Sequence, residues 1–124
     1  MPIALAIAFG GALGALGRYA VDSLIERHTE SVFPWATFAV NVTGCLAVGF
    51  LIAALVDRHR APAWLRAGLV VGFCGGYTTF STFAQETLDL TEGRHVAVAA
   101  ATVTASVALG LLAVYVGARL GGMT

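Results

Sequence analysis

The sequence predicts an all-α membrane protein with four transmembrane helices, and three observations lead to this fold class. Hydrophobic residues make up 58% of the chain and charged residues 11%, against a charged share of roughly 25% in soluble domains. Four runs contain no Asp, Glu, Lys or Arg, and each is about as long as a membrane span. Glycines and hydroxyl residues interrupt the third run. We therefore expect residues 1–124 to form one transmembrane domain.

The first two runs have the length and composition of spanning helices. The first, from Met1 to Gly17, is rich in small residues, and Gly10 and Gly14 have the GxxxG spacing that favours close helix packing. No Lys or Arg precedes its apolar stretch, which argues against a cleaved secretory signal. The second run, from Trp35 to Val56, has 22 residues. At about 1.5 Å per residue it covers roughly 33 Å, close to the ~30 Å hydrocarbon core.

The third run, from Ala67 to Gln85, carries the glycine pair Gly75-Gly76 at its middle. Glycines weaken a helix, and the carbonyls that they free cannot stay unsatisfied in lipid. We therefore predict that the third helix is broken near its middle. One interpretation is a kink packed against small residues of a neighbouring helix. The other is a cage of carbonyl oxygens that suits a monovalent cation, because no carboxylate is nearby to balance a higher charge.

The fourth run, from Val96 to Ala118, completes an even number of spans, so both chain termini are expected on one side of the membrane. One side then carries four arginines and the other three, whereas a fixed topology shows an excess of Lys and Arg in the cytoplasm. The first set is Arg58, Arg60, Arg66 and Arg119, and the second is Arg18, Arg27 and Arg94. We expect insertion in both orientations and an antiparallel, dual-topology homodimer with a two-fold axis in the membrane plane.

Polar and aromatic residues beyond the glycine pair suggest a lined path for an anion. Phe80 and Phe83 are three residues apart and share a helical face. Their positive ring edges can face an anion, and nearby hydroxyls can donate hydrogen bonds to it. These hydroxyls belong to Thr79, Ser81 and Thr82, and Glu86 continues the polar stripe. Ordinary packing of the rings, and hydroxyls that bond their own helix, are the simpler alternatives.

Two further polar residues have more than one interpretation. Asn41 lies in the first half of the second helix, toward the same membrane face as the two phenylalanines of the antiparallel third helix. Its amide supplies two donors, which suits either an anion path or a hydrogen bond between helices. Arg18 ends the first run, where its guanidinium either reaches the lipid headgroups or attracts anions to a vestibule.

Three stretches of the chain resemble the CrcB/Fluc fluoride channel family. They are GFCGGYTTFSTF at 72–83, followed by Glu86, VNVTGC at 40–45 and GALGRY at 14–19. The resemblance covers essentially the whole chain in length, helix count and motif order. It implies an antiparallel homodimer with two fluoride pores and a structural sodium ion at the dimer interface. The protein would then be no enzyme but a passive, electrogenic exporter of fluoride in the plasma or inner membrane of a prokaryote.

The resemblance also implies roles for individual residues. Phe80, Phe83 and Asn41 match pore-lining positions, Thr79, Ser81 and Thr82 match a polar track, and Ser106 is a plausible pore hydroxyl on the fourth helix. The backbone carbonyls of Gly75 and Thr78 from both subunits match the sodium site. Arg18 and Glu86 match positions near the pore entrances. The partners implied are fluoride, membrane lipid and a second copy of the chain, with no nucleic acid.

Two other functions remain open from the residues alone. A small proton-coupled multidrug exporter of the four-helix, dual-topology type needs a membrane-embedded carboxylate. Glu86 is the carboxylate that borders the third run, and Asp22 lies near the end of the first helix. A membrane subunit that only packs against other helices would need neither a carboxylate nor the polar stripe.

Overall fold

The computed structural model describes residues 1–56 and 61–123, and all regular structure in these ranges is helical. Helix α1 is Ile3–His28, and α2 is Trp35–Leu51, continued by the π-helical turn Ile52–Val56. Helix α3 comprises Ala63–Arg66, the π-helical stretch Ala67–Cys74 and the short turn Gly75–Tyr77. Helices α4 and α5 are Phe80–Glu92 and Val96–Met123. Arg58 and Arg60, which entered the charge comparison, lie outside the described residues.

Three helices of the described residues are long and apolar enough to cross a membrane, namely Ile3–His28, Trp35–Leu55 and Val96–Met123. The protein is therefore a multi-pass membrane protein. Helix α1 continues well beyond Gly17, the end of the first uncharged run, and includes Arg18, Asp22, Glu26 and Arg27. The absence of charge indicates where lipid surrounds a helix, whereas the helix itself can extend into the headgroup region and the water.

Glycines bring α1 and α3 into backbone contact. A Cβ atom at Gly10 would collide with the Gly68 carbonyl, and one at Gly14 would collide with the Phe73 carbonyl. On α3, a Cβ atom at Gly76 would lie 2.5 Å from the Gly11 carbonyl oxygen. The close packing that the small residues of the first helix predict is confirmed, and it extends to the glycines of α3.

Helices α2 and α5 form the other close pair. A Cβ atom at Gly49 of α2 would collide with the Val114 carbonyl, and one at Gly117 of α5 would collide with the Leu46 carbonyl. Van der Waals contact between backbones holds helices together where lipid removes the hydrophobic driving force. Helices α1 and α3 form one pair and α2 and α5 the other, and α4 packs mainly against α5 and also contacts α2.

The helix between residues 63 and 92 is interrupted at Thr78 and Thr79, not at the glycine pair. Gly75 and Gly76 are helical, whereas Thr78 (φ −79°, ψ 158°) and Thr79 (φ −148°, ψ 113°) are extended. The predicted position was therefore wrong by about three residues. The physical reason is that Gly76 serves the close approach of α1, while β-branched threonines favour extended backbone and can replace lost helical bonds with their hydroxyls.

Candidate functional site

A groove of about 430 Å³ opens on the surface of the protomer beside the interruption. Seven residues that the sequence singles out line it together, and they come from α2, α3, α4, α5 and the two extended threonines. They are Asn41, Gly75, Thr78, Thr79, Phe80, Phe83 and Ser106. Apolar side chains such as Val48, Val70 and Val107 form much of the remaining wall. Residues distant in sequence are thus brought to one place, and none of the described lining residues is charged.

Four other predicted residues lie outside this groove. Ser81 is exposed on α4, and Thr82 accepts a hydrogen bond from the Thr79 hydroxyl, Oγ1 to Oγ1, at 3.0 Å. Arg18 is half-buried on α1. Glu86 lines a separate cavity of about 240 Å³ with Asp89 and His95. In the single protomer, the polar stripe therefore divides between the groove and the end of the helix bundle.

The two phenylalanines form a ring pair at the groove. The ring centroids of Phe80 and Phe83 are 5.7 Å apart, with the planes tilted by 43°. Phe80 is 78% exposed although its ring is wholly apolar. A tilted pair presents ring edges as well as faces, and the edges carry the positive end of the aromatic quadrupole. The pair therefore offers weak positive potential without a full charge.

Asn41 holds the interruption from the side of α2. Its Nδ2 donates to the Thr79 carbonyl at 2.9 Å, and its Oδ1 accepts from the Thr79 N–H at 2.8 Å. A primary amide has two N–H donors, so the hydrogen bond to Thr79 leaves one for another partner. The interhelical hydrogen bond, one of the two interpretations of Asn41, is present, and the other interpretation, a donor to an anion path, stays a prediction. Asn41 acts as an interhelical hydrogen-bonding residue and keeps one donor at the groove.

Hydrogen bonds at the interruption redirect two N–H groups away from α3. In a continuous helix the N–H of Thr79 would bond the Gly75 carbonyl, and the N–H of Thr82 would bond the Thr78 carbonyl. Here the first bonds Asn41 Oδ1, and the second bonds the Thr79 hydroxyl at 3.3 Å. The carbonyls of Gly75 and Thr78 thus lose their helical donors. Both residues line the groove.

The structure shows polar contacts that sequence reasoning missed. Thr37 Oγ1 donates to Glu86 Oε1 at 2.8 Å, which links α2 to α4. The hydroxyls of Thr43 and Tyr77 are 3.0 Å apart and link α2 to α3. Thr37 precedes Asn41 by four residues, one helical turn, so their shared helical face was a signal in the sequence. The register between helices, which decides the partners, was not.

One oxygen of the Glu86 carboxylate has a hydrogen-bond partner among the described residues, and the other has none. Its Oε1 accepts the Thr37 hydroxyl, while its Oε2 is buried and has no hydrogen-bond partner among the described residues. Asp22 Oδ1 is likewise buried without a hydrogen-bond partner among the described residues. Buried polar atoms normally have partners, so both carboxylates require an explanation in any account of function.

A cation at this site would depend on uncharged oxygens. Within residues 1–56 and 61–123, no group of three or more His, Cys, Asp and Glu side chains is placed to hold a metal ion. The groove instead offers the carbonyls of Gly75 and Thr78. Neutral oxygens suit a hard cation of low charge, because no carboxylate is present in the groove to neutralise a higher one.

A family model described as "CrcB-like protein, Camphor Resistance (CrcB)" matches residues 5–118 of the chain. The chain belongs to the CrcB family. The match covers α1, α2, the interrupted helix and most of α5, so it includes every residue of the groove. Membership agrees with the resemblance carried by the stretches at 14–19, 40–45 and 72–83.

Several similar proteins are named after an ion-channel function. A protein of Azotobacter vinelandii named "Fluoride-specific ion channel FluC" is 45% identical over 115 residues, which cover 93% of both chains. Proteins with the same name from Acidobacterium capsulatum and Flavobacterium psychrophilum are 45% and 38% identical, over 93% and 90% of this chain and 92% and 90% of their own. The similarity therefore extends over nearly the full length of these relatives.

Proposed function

We propose that this protein is a fluoride channel that lets fluoride leave a prokaryotic cytoplasm passively and electrogenically, across the plasma or inner membrane. The observation that carries the proposal is the groove, where Asn41, Ser106 and the pair Phe80 and Phe83 converge without a charged lining residue among those described. The names of the relatives in three bacteria support the choice of ion. A passive channel needs no catalytic residues, and the protein is not an enzyme.

The groove has the chemistry that conduction of a small anion requires. Fluoride must exchange water for other donors, and a strong fixed charge would bind it too tightly for rapid release. The remaining N–H of Asn41, the Ser106 hydroxyl and the ring edges are all neutral. They can replace part of the hydration shell while leaving the ion free to move.

The interrupted helix is proposed as the third of four spans. Ala63–Tyr77 and Phe80–Glu92 together exceed the length needed to cross the hydrocarbon core. Nonhelical backbone at membrane depth is tolerated where protein buries it or where it lines a water-filled cavity. Thr78 and Thr79 meet this condition because they lie beside the groove and are bonded to Asn41 and to their own helix.

A second copy of the chain is proposed to close the groove. Phe80 is 78% exposed in the protomer, and a Cβ atom at Gly75 would meet no atom within 4 Å. On this proposal, the open groove forms one wall of a pore, and the second subunit forms the other wall. The near balance of arginines between the two sides supports pairing with an oppositely oriented copy, which makes an antiparallel, dual-topology homodimer.

Sodium is the proposed resident cation of the dimer. The residues present fit such an ion, because the carbonyls of Gly75 and Thr78 have lost their helical donors and line the face that the second copy would cover. Two copies would supply these carbonyls in pairs. When bound, the ion would satisfy these dipoles and hold the two subunits together. Its role would be structural.

The proton-coupled drug exporter is the second candidate, and one observation favours it. Glu86 Oε2 and Asp22 Oδ1 are buried without hydrogen-bond partners among the described residues, as a proton-exchanging carboxylate would be. Against it, neither carboxylate lines the groove that gathers the predicted pore residues.

One flux assay separates the candidates. The purified protein is reconstituted in liposomes loaded with potassium fluoride or potassium chloride, valinomycin is added to carry the compensating potassium current, and efflux is recorded with ion-selective electrodes. The channel proposal predicts rapid fluoride efflux and no chloride efflux. Uptake of a cationic drug driven by a proton gradient, without fluoride efflux, would support the exporter. Absence of all flux would support a subunit that only packs against other helices.

A further inference from the structure

We infer that Asn41 is a positioning residue: its amide keeps the Gly75 carbonyl available to a cation by occupying the N–H of Thr79. The inference rests on the proposed sodium site, and it adds to the pore role that the family resemblance implies for Asn41. It makes one side chain on α2 responsible for the geometry of the interruption as well as for a donor at the groove.

The side-chain amide of Asn41 bonds both main-chain polar groups of Thr79, its N–H and its carbonyl. Oδ1 accepts the Thr79 N–H at 2.8 Å, and Nδ2 donates to the Thr79 carbonyl at 2.9 Å. This is the pairing that an adjacent β-strand would provide, and it suits the extended conformation of Thr79 (φ −148°, ψ 113°). The neighbouring Val40 is fully buried, so α2 is held firmly where the amide begins.

The redirected N–H has one alternative acceptor in the chain itself. If Thr79 returned to helical geometry, its N–H would bond the Gly75 carbonyl and join α3 to α4. An unpaired N–H is costly in lipid, so without Asn41 the backbone has a strong reason to make that bond. A carbonyl used in this way has less capacity for a cation. Asn41 therefore competes with Gly75 for one donor, and the structure shows that Asn41 has it.

A different hydrogen bond keeps the Thr82 N–H away from the Thr78 carbonyl. The N–H of Thr82 goes to the Thr79 hydroxyl at 3.3 Å, as at an ordinary helix N-terminus. This capping contact does not involve the Asn41 side chain. Loss of the amide should therefore affect the Gly75 carbonyl first, and the two hydrogen bonds can be separated by mutation.

Two substitutions at Asn41 separate positioning from conduction. Asn41→Leu keeps the approximate shape but removes the acceptor for the Thr79 N–H. Asn41→Asp keeps an acceptor oxygen and adds negative charge at the groove. We call the stabilisation of the folded dimer by added sodium the sodium response. Asn41→Leu should weaken both the sodium response and fluoride flux, whereas Asn41→Asp should keep the sodium response and lose fluoride flux. Thr102→Val is the matched control, because the Thr102 hydroxyl is buried on α5 and bonds its own helix at Val98.

The readout is the thermal unfolding midpoint of the purified full-length dimer as sodium chloride replaces N-methyl-D-glucamine chloride. An ion that binds only the folded state raises the midpoint with its concentration. The wild type and the Thr102→Val and Asn41→Asp variants should show this rise. In Asn41→Leu the half-saturating sodium concentration should increase by about tenfold or more, the effect expected when one hydrogen-bonding arrangement is lost. If Asn41→Leu does not assemble, Asn41→Ala is measured instead.

The outcomes distinguish this inference from the proposed function. Fluoride flux in the wild type, with equal sodium responses in the wild type and Asn41→Leu, would overturn the positioning role and leave the channel standing. A sodium response that Asn41→Leu loses and Asn41→Asp keeps, in a protein without fluoride flux, would support the positioning role and reject the channel. A wild type that shows no sodium response overturns the inference.

Discussion

Thr37 on α2 donates a 2.8 Å hydrogen bond to Glu86 on α4, although 49 residues separate them in the sequence. The contact lies beyond the groove, toward the end of the bundle where Glu86 lines a second cavity. Thr37 bonds Oε1 of the Glu86 carboxylate. The other oxygen, Oε2, is buried and has no hydrogen-bond partner among the described residues. The stability of this end of the molecule should therefore be sensitive to the Thr37 hydroxyl.

Thr37→Val should destabilise the protein, because it leaves a carboxylate with no hydrogen bond in a largely buried position. We expect a cost of about 1–3 kcal/mol in the free energy of unfolding, measured by denaturant titration in detergent. Glu86→Gln keeps an oxygen for the Thr37 hydroxyl and should cost less. Equal losses for Thr37→Val and Glu86→Gln would contradict the importance of this bond.

Gly75 and Gly76 should respond differently to added side chains. A Cβ atom at Gly76 would lie 2.5 Å from the Gly11 carbonyl oxygen, whereas one at Gly75 would meet nothing within 4 Å of the same protomer. Gly76→Ala should therefore disturb the protomer, by about 1–3 kcal/mol as in overpacked cores. Gly75→Val should leave helical content intact and reduce the dimer fraction.

Circular dichroism and size-exclusion chromatography with light scattering measure the two effects. An unchanged dimer fraction in Gly75→Val would show that no second copy crosses α3 at this position, and it would remove the argument for a cation held there.

Phe80→Ile should reduce fluoride flux by about tenfold or more while the dimer still assembles. Isoleucine preserves most of the apolar volume but has no ring edge to face an anion. Phe9→Ile is the control, because Phe9 is an exposed aromatic residue on α1 that does not line the groove among the described residues. Initial efflux rates from liposomes provide the measurement. Equal rates for both variants would mean that the ring pair serves packing alone.

Tyr77→Phe tests the link between α2 and α3. The Thr43 hydroxyl donates to the Ala39 carbonyl at 2.7 Å, so its single hydrogen is used and the Tyr77 hydroxyl, 3.0 Å away, is the donor to Thr43. The substitution keeps the stacking on Phe73, whose ring centroid is 5.9 Å away. We expect a loss of about 0.5–1.5 kcal/mol in unfolding free energy. A double-mutant cycle with Thr43→Val should show coupling, and additive losses would exclude a direct bond.

Arg94→Gly should bias membrane orientation and stabilise the connection between α4 and α5. Arg94 has a φ of 64°, which glycine adopts more easily than any residue with a side chain. The substitution also reduces the smaller set of arginines from three to two against four on the other side. Reporter fusions at the C-terminus should read out on both sides for the wild type and shift toward one side for Arg94→Gly. A wild-type fusion that reads out on one side only would reject dual insertion.

Much of the groove was predictable because helix periodicity and antiparallel order constrain depth. Asn41 in the first half of α2 and the phenylalanines beyond the interruption had to lie toward the same membrane face. The groove does contain Asn41, Phe80 and Phe83, together with Ser106 from α5. Their contribution to a pore stays a prediction until flux is measured.

The position of the interruption was not predictable in the same way. Glycine indicates either a weak point in a helix or a close approach of another backbone, and the sequence does not distinguish these uses. At Gly76 the approach of Gly11 decides in favour of packing. The extended residues are instead Thr78 and Thr79, because Asn41 on another helix bonds the backbone of Thr79. That partner depends on the relative register of α2 and α3, which no local pattern contains.

The most direct test of passive fluoride conduction is the dependence of fluoride efflux on a compensating current. Liposomes that contain the protein and potassium fluoride are diluted into fluoride-free medium, with and without valinomycin to carry potassium. Passive conduction through the groove predicts fast efflux only when valinomycin is present, and none from protein-free liposomes. Fluoride efflux that is equally fast without valinomycin, or absent in both cases, would contradict passive, electrogenic conduction by this protein.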